Sequence, residues 1–354
     1  MLKTPAYAAP DGHSPLAPFT IERRAPRAGE VLIDILYCGV CHSDLHQVRA
    51  QWGGNGIFPM VPGHEIVGRV AQVGEGVDRF KVGDPVGVGC FVDSCRHCAQ
   101  CEAGEEQYCV EGMTGTYNSR ERDDGTPTYG GYSTRITVSQ DFVLDIPDAL
   151  PLDRAAPLLC AGITTYSPLR QFGVRAGHEV AVVGLGGLGH MAVKLAAAMG
   201  AKVTVLSTSE SKREAALELG ADDFGATRDP ATFKKLARRF DLIIDTVSAP
   251  HDYNTYLGLL KFDGSMVLLG IPDEPAPVAA GALIMQRRKL SGSLIGGIRE
   301  TQEMLDFCAK HGIAADIELI NMDQIEVAYE RMLKADVRYR FVIDIASLRD
   351  EAGG

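Results

Sequence analysis

Glu179-Val-Ala-Val-Val-Gly-Leu-Gly-Gly-Leu-Gly189 is the stretch that decides how this 354-residue chain folds. Val180 to Val183 is a short apolar run, as in a strand covered on both faces. Gly184, Gly186 and Gly189 follow in a G-x-G-x-x-G pattern, and from His190 the sequence reads as a helix stopped by Gly200. Strand before and helix after lift a weak motif to a specific one. The first glycine makes a tight turn, the second admits a pyrophosphate, and the third lets helix and strand pack closely, with the helix N-terminus facing the anion. The competing reading is an ordinary glycine-rich strand-to-helix turn.

Downstream of that turn, strand and helix patterns alternate. Ala201 to Leu206, Asp241 to Val247, Ser265 to Gly270 and Leu290 to Ile295 read as strands. Ser209 to Leu219 and Tyr253 to Lys261 read as helices between them. Such βαβ repetition predicts a doubly wound parallel sheet with helices on both faces, the α/β class. Helices over Arg299 to His311 and Asp323 to Lys334 and a strand over Tyr339 to Ile345 complete the C-terminal part. Upstream the character differs. Glycines 68, 74, 76, 83 and 87 punctuate alternating apolar residues, as in short barrel strands. Residues 112 to 131 read as a polar surface loop, and the composition changes near Leu152, which puts a domain boundary near Cys160.

Composition bounds the partners. At 354 residues, 45% of them hydrophobic, two domains are expected. A formal charge of −11 argues against nucleic acid or an anionic membrane surface. The first residues have no signal-peptide core and no run is of membrane-spanning length, so a cytoplasmic location is expected. In a reducing compartment the nine cysteines point to metal rather than to disulfides.

Four of them form C-x2-C-x2-C-x7-C at Cys95, Cys98, Cys101 and Cys109. Four thiolates close a tetrahedral zinc site with no open position, a structural site. An iron–sulfur cluster would favour a shorter last gap followed by proline, and unligated thiols are the remaining reading. A second set is scattered: Cys41 in Gly39-Val-Cys-His-Ser-Asp-Leu-His46, His64 and Glu65 in Pro62-Gly-His-Glu, and Cys160. Two cysteines and a histidine would leave zinc one open position, as catalysis needs. Spacing alone does not bring them together.

The second strand of the βαβ region ends Val205-Leu-Ser-Thr-Ser209, where an NAD site would carry an acid. Ser207 and Thr208 offer hydroxyls, and Lys212 and Arg213 add charge, which suits the 2′-phosphate of NADP. The alternative is a helix cap followed by solvated lysine.

Taken in order, Gly-Val-Cys41-His-Ser-Asp, Pro-Gly-His64-Glu65, the four-cysteine lobe, Leu-Cys160-Ala-Gly-Ile-Thr164 and Gly-Leu-Gly-Gly-Leu-Gly189 resemble the zinc-dependent medium-chain alcohol dehydrogenases. Met113-Thr-Gly-Thr-Tyr-Asn118 and Ser207-Thr-Ser-Glu-Ser-Lys-Arg213 are similar to the cinnamyl-alcohol-dehydrogenase group, nearest its bacterial broad-range NADPH-dependent aldehyde reductases. The resemblance runs from about Gly29 to Asp344. It implies a GroES-like catalytic domain over residues 1–160 and 299–354, with a structural zinc lobe at 95–109, and a Rossmann NADP-binding domain over 161–298.

It also implies two zinc ions per chain. Catalytic zinc falls on Cys41, His64 and Cys160, with Glu65 as an alternative ligand and Asp44 behind His64. Structural zinc falls on Cys95, Cys98, Cys101 and Cys109. NADP(H) would lie on Gly184, Leu185, Gly186, Gly187, Leu188 and Gly189, with Thr164, Ser207, Thr208 and Lys212. Zinc would polarise an aldehyde carbonyl, NADPH would deliver hydride, and Ser43 with His46 would supply the proton. Trp52, Leu294 and Ile295 are pocket candidates, Trp52 being equally readable as a packing aromatic. Cys38, Cys90 and Cys308 match no motif and read as packing residues. The family implication is a homodimer that pairs sheet edges at Leu290 to Ile295. The rival functions are an NAD-dependent polyol or amino-acid-alcohol dehydrogenase and a non-catalytic relative.

Overall fold

A computed structural model describes residues 1–52, 56–272 and 274–351. The chain divides into two compact units: Met1–Cys160 joined by the segment from Gly296 onward, and Ala161–Ile295.

The second unit is built on a six-stranded parallel sheet. Its spatial order is Asp223–Ala226, Lys202–Ser207, Glu179–Val183, Phe240–Asp245, Leu260–Leu268, Lys289–Gly292. In chain order that is 3-2-1-4-5-6, the doubly wound arrangement expected from the alternating pattern. Order reverses between Glu179–Val183 and Phe240–Asp245, so the glycine turn leaves the sheet at the switch point where such sheets hold ligands. Val180, Ala181, Val182 and Val183 are all buried, as their run of apolar residues predicts. Each valine so buried contributes about 1.5–3 kcal/mol. One core cluster joins Val183, Leu206, Phe240, Ile243, Tyr256, Leu257 and Met266.

Several elements differ from the sequence reading. The helix expected over Tyr253 to Lys261 ends at Leu257, and the next strand begins at Leu260 rather than Ser265. Pairing shifts from Phe240↔Leu260 to Leu242↔Ser265, so the intervening residues bulge and Phe262 is left exposed. An apolar run that enters a strand through a bulge carries no clean period of two, which is why it reads as helix. The strand Asp223–Ala226 was not anticipated. It is a short sheet edge with one large buried residue, Phe224.

The first unit centres on Glu30–Gly39. This strand pairs antiparallel with Ile66–Val73, with Arg135–Ser139 at its start and with Arg340–Asp344 at its end. The sheet continues through Pro85–Val88 to Leu144–Asp145 on one side and to Ile317–Asn321 on the other. The C-terminal strand therefore completes the sheet begun by the N-terminal third. An N-terminal hairpin, Leu2–Ala8 with Ala17–Arg23, lies outside this sheet. Residues 112–131 are less uniformly exposed than their composition suggests: Thr114, Thr116, Tyr117, Thr128, Gly130 and Gly131 are buried.

Candidate active site

Local capping places the first ligand. Helix His42–Val48 begins at Cys41, whose Sγ accepts from Ser43 N at 3.5 Å. Asp44, at the third helical position, accepts from Cys41 N at 2.9 Å. This is a capping box with cysteine in the place of serine. The same carboxylate reaches two further donors, Gly63 N at 3.0 Å and His64 Nδ1 at 3.1 Å. Asp44 is fully buried and thereby ties the helix start to the Pro62-Gly-His-Glu turn. Cys160 follows the short helical turn Ala156–Leu159 and approaches Cys41 with an Sγ–Sγ distance of 4.0 Å.

The scattered set converges: ligand atoms of Cys41, His64, Glu65 and Cys160 lie within 4.8 Å of one another, all buried. The Cys160 thiol donating to Cys41, with Arg340 and His64 beside it, holds Cys41 well below the usual thiol range. Glu65 is pushed up to about 7 by burial, against the pull of Arg340, which bonds its Oε1. Glu65 Oε2 has no hydrogen-bond partner. Two residues of this site escaped the sequence reading. Arg340, buried at the start of the C-terminal strand, is 275 positions from Glu65 and no local pattern marks it. Cys90, read as packing, lies next to the cluster: its Sγ donates to Leu159 O at 3.8 Å, one residue before Cys160. Cys38 and Cys308 are buried and stay apart from the cluster.

Of the remaining candidates in this unit, Ser43 Oγ lies 3.6 Å from Cys41 Sγ. His46 bonds Gln51 through Nδ1 at 2.7 Å and stacks on Trp52 with ring centroids 5.1 Å apart. Trp52 is half-exposed, and the glycine-rich residues 53–55 that follow lie outside the described residues. Tyr117 stacks on His64 at 5.9 Å, a contact that the sequence reading did not anticipate. A cavity of about 530 Å³ in the same unit, lined by Arg79, Glu106, Asp141 and Arg299 among others, includes none of these residues.

The four-cysteine lobe also assembles, with all four Sγ atoms within 4.8 Å. Cys95 to Cys101 is 3.8 Å and Cys98 to Cys101 is 3.5 Å. Zinc–sulfur bonds of about 2.3 Å at the tetrahedral angle place sulfurs about 3.8 Å apart, so both clusters have spacings that fit zinc. Backbone N–H groups of Cys95 and Cys98 point at Cys109 Sγ and Cys95 Sγ, each at 3.4 Å. Backbone donors of Val110 and Cys101 bring the Cys98 thiol down to about 6. Such donors suit thiolates, the form that binds metal.

In the second unit the glycine turn fits a dinucleotide. Gly184 has φ +89°, a left-handed conformation, and a Cβ on Gly189 would meet Gly184 O at 2.2 Å. Around Gly186 nothing lies within 4 Å of an added Cβ, which leaves room for a ligand. Helix Gly189–Ala198 has no side-chain N-cap, although His190 N already donates to Gly186 O at 3.0 Å. Strand Lys202–Ser207 ends on Ser207. Lys212 Nζ reaches back to Leu185 O at 3.0 Å, whereas Arg213 is engaged with Glu210 and stacks over Phe224. Lys212 is thus the cation that faces the glycine turn. Thr164 is buried in helix Ala161–Gln171, and Leu294 and Ile295 lie just beyond strand Lys289–Gly292. Asp245, the last residue of strand Phe240–Asp245, and His251, paired with it at 2.9 Å, were not singled out by sequence.

Sheet order, glycine turn and converged cysteine–histidine sets define a zinc-dependent nucleotide oxidoreductase of two domains. The comparisons agree. The family of zinc-binding dehydrogenases matches residues 187–310, and the alcohol dehydrogenase GroES-like domain matches residues 27–148. NADP-dependent alcohol dehydrogenase C 1 of Mycolicibacterium smegmatis is 61% identical over 345 residues, 97% of this chain and 98% of the relative. Aldehyde reductase YahK of Escherichia coli is 55% identical over 352 residues, 99% of this chain and all of the relative. The solved cinnamyl alcohol dehydrogenase SbCAD4 of Sorghum bicolor superposes with a TM-score of 0.94 at 48% identity, covering 98% of both chains. The chain belongs to the zinc-binding medium-chain alcohol dehydrogenase family.

Proposed function

We propose that this protein reduces aldehydes to primary alcohols with NADPH, and runs in reverse as an alcohol dehydrogenase, with a range that includes aromatic aldehydes. One observation carries the reading. Glu65 is drawn to Arg340, which leaves Cys41, His64 and Cys160 as three ligands and a fourth zinc position for a substrate oxygen. Bound there, zinc would polarise the carbonyl while NADPH supplies the hydride.

The chain's own residues do the rest. Asp44 holds the His64 ring by Nδ1, fixing the tautomer and presenting Nε2. Ser43, beside Cys41, is placed to give its proton to the oxygen of the reduced substrate. His46, further along the same helix, passes the replacement from solvent. Gly184 to Gly189 and the N-terminus of helix Gly189–Ala198 seat the pyrophosphate. Ser207, Thr208 and Lys212 take the 2′-phosphate, with Thr164 as a further cofactor contact.

Two zinc ions per chain, a homodimer and a cytoplasmic location belong to the same reading. The fit of the four-cysteine lobe supports the second ion. Strand Lys289–Gly292 ends the nucleotide sheet and is open to pairing, which supports the dimer. All nine cysteines are free, as suits a reducing compartment, and no helix among the described residues is long and apolar enough to cross a membrane. Metal analysis and light scattering test the first two. Rates with NADPH and NADH across benzaldehyde-type and short aliphatic aldehydes test the activity. The rival polyol dehydrogenase would prefer NADH, and the absence of an acid at the end of strand Lys202–Ser207 speaks against it.

A further inference from the structure

The four-cysteine lobe carries a second donor set on its outer side. Cys95 Sγ, a ring nitrogen of His97 and a carboxylate oxygen of Glu111 lie within 4.8 Å of one another. The two outer side chains are open to solvent, at 73% and 49% exposure. His97 Nδ1 donates to Cys95 O at 2.6 Å, which turns Nε2 toward Glu111 Oε1 at 3.2 Å. Arg122 grips the other carboxylate oxygen, Oε2, at 3.1 Å, and reaches Cys109 Sγ at 3.9 Å. Glu111 is therefore held from behind and its free oxygen is aimed at the imidazole.

That geometry has two uses. With a proton between them, His97 and Glu111 form an ordinary surface ion pair, worth about 0–1 kcal/mol. A divalent ion can take the proton's place. Zinc bonds of about 2.0–2.2 Å at the tetrahedral angle separate a nitrogen and an oxygen ligand by about 3.4 Å, close to the spacing seen here. Imidazole, carboxylate and thiolate are all zinc ligands, and three of them leave a position open.

The closed site needs such a partner. Four thiolates fill a tetrahedral zinc, so an incoming ligand finds no place to bind until one thiolate lets go. Cys95 belongs to both sets. An ion that keeps its bond to Cys95 while gaining His97 and Glu111 can leave the other sulfurs one at a time, without ever being stripped of protein ligands. Loading runs the same path inward, each thiol releasing its proton to water as it binds.

We propose that Cys95, His97 and Glu111 form a transfer station through which the zinc of the four-cysteine lobe enters and leaves. The proposal rests on that lobe holding zinc. The experiment follows zinc release from the fully loaded chain into excess 4-(2-pyridylazo)resorcinol, by absorbance, for the natural protein, His97→Ala, His97→Gln and Glu111→Gln. Resting metal content is measured first. Two release phases are expected, one per site, and the variants slow one of them by about tenfold while leaving the other phase and the resting content unchanged.

The sign separates a transfer role from a bracing one. If the ion pair merely supports the lobe, its loss loosens the site and zinc leaves faster, which overturns the proposal. Unchanged release with two zinc ions at rest overturns it as well and leaves the two-zinc reading standing. One zinc at rest that is retained on Cys98→Ser lies outside the lobe, and that result overturns the proposal.

Discussion

Replacing Asp44 by asparagine removes one negative charge and one acceptor at a point where three elements meet. The carboxylate accepts from Cys41 N at 2.9 Å, Gly63 N at 3.0 Å and His64 Nδ1 at 3.1 Å, and it is fully buried. Asparagine has one oxygen. Its best placement keeps that oxygen between Gly63 and His64 and turns the amide NH2 against the Cys41 N–H. An unmade buried bond costs about 1–3 kcal/mol, and loss of charge weakens each remaining bond by about 1 kcal/mol. The total, about 3–5 kcal/mol, divides between folding of the first unit and hold on the metal. The part that acts through the orientation of His64 corresponds to a 10- to 100-fold drop in zinc affinity, roughly the usual effect of losing a partner behind a ligating histidine. The assay is zinc content after equilibration against a graded series of free zinc, with the four-cysteine lobe as an internal reference in the same chain. Asp44→Asn should empty the Cys41–His64–Cys160 site at a free zinc concentration that leaves the lobe filled. Retention of both ions within threefold of the natural affinity would refute the role given to Asp44.

The other predictions concern the nucleotide unit. Lys212→Met keeps the aliphatic stem and removes the cation beside Leu185 O. One charge-assisted bond of about 1.5–3 kcal/mol is lost, so NADPH should bind about 10- to 100-fold more weakly with NADH unaffected, as a titration of both cofactors will show. Equal losses for both would mean that Lys212 serves the turn and not the phosphate. His251 is raised above its usual value by its bond to buried Asp245. A histidine with a raised folded-state value stabilises fully below its unfolded value near 6.5 and loses that contribution as pH rises through the higher one. His251→Gln keeps a donor without the charge, so it should cost about 1 kcal/mol in mildly acidic urea unfolding and progressively less toward alkaline pH. A gap independent of pH would contradict this.

What could be read from the chain followed the range of the interactions. The glycine turn, its strand and its helix are local, and the 22 consecutive residues from Glu179 to Gly200 specify them. The four-cysteine lobe closes within fifteen residues and was equally legible. Cys41, His64 and Cys160 were named from motifs, but their meeting depends on pairings such as Cys38↔Ile66 that no local pattern states. Arg340 and Cys90 were lost for that reason. An arginine in Arg338-Tyr-Arg340 looks like surface charge until the C-terminal strand is laid beside Glu30–Gly39. The misread helix end at Leu257 shows a second limit, since a β-bulge erases the period that identifies a strand.

The central claim is that zinc and NADPH act together on an aldehyde. The direct measurement is the loss of reduced-nicotinamide absorbance by the zinc-loaded protein with benzaldehyde, using NADPH and NADH side by side. Turnover with NADPH, with kcat/KM for NADH lower by about tenfold or more, is the predicted result. No turnover by protein shown to carry its zinc, or a preference for NADH, would contradict it.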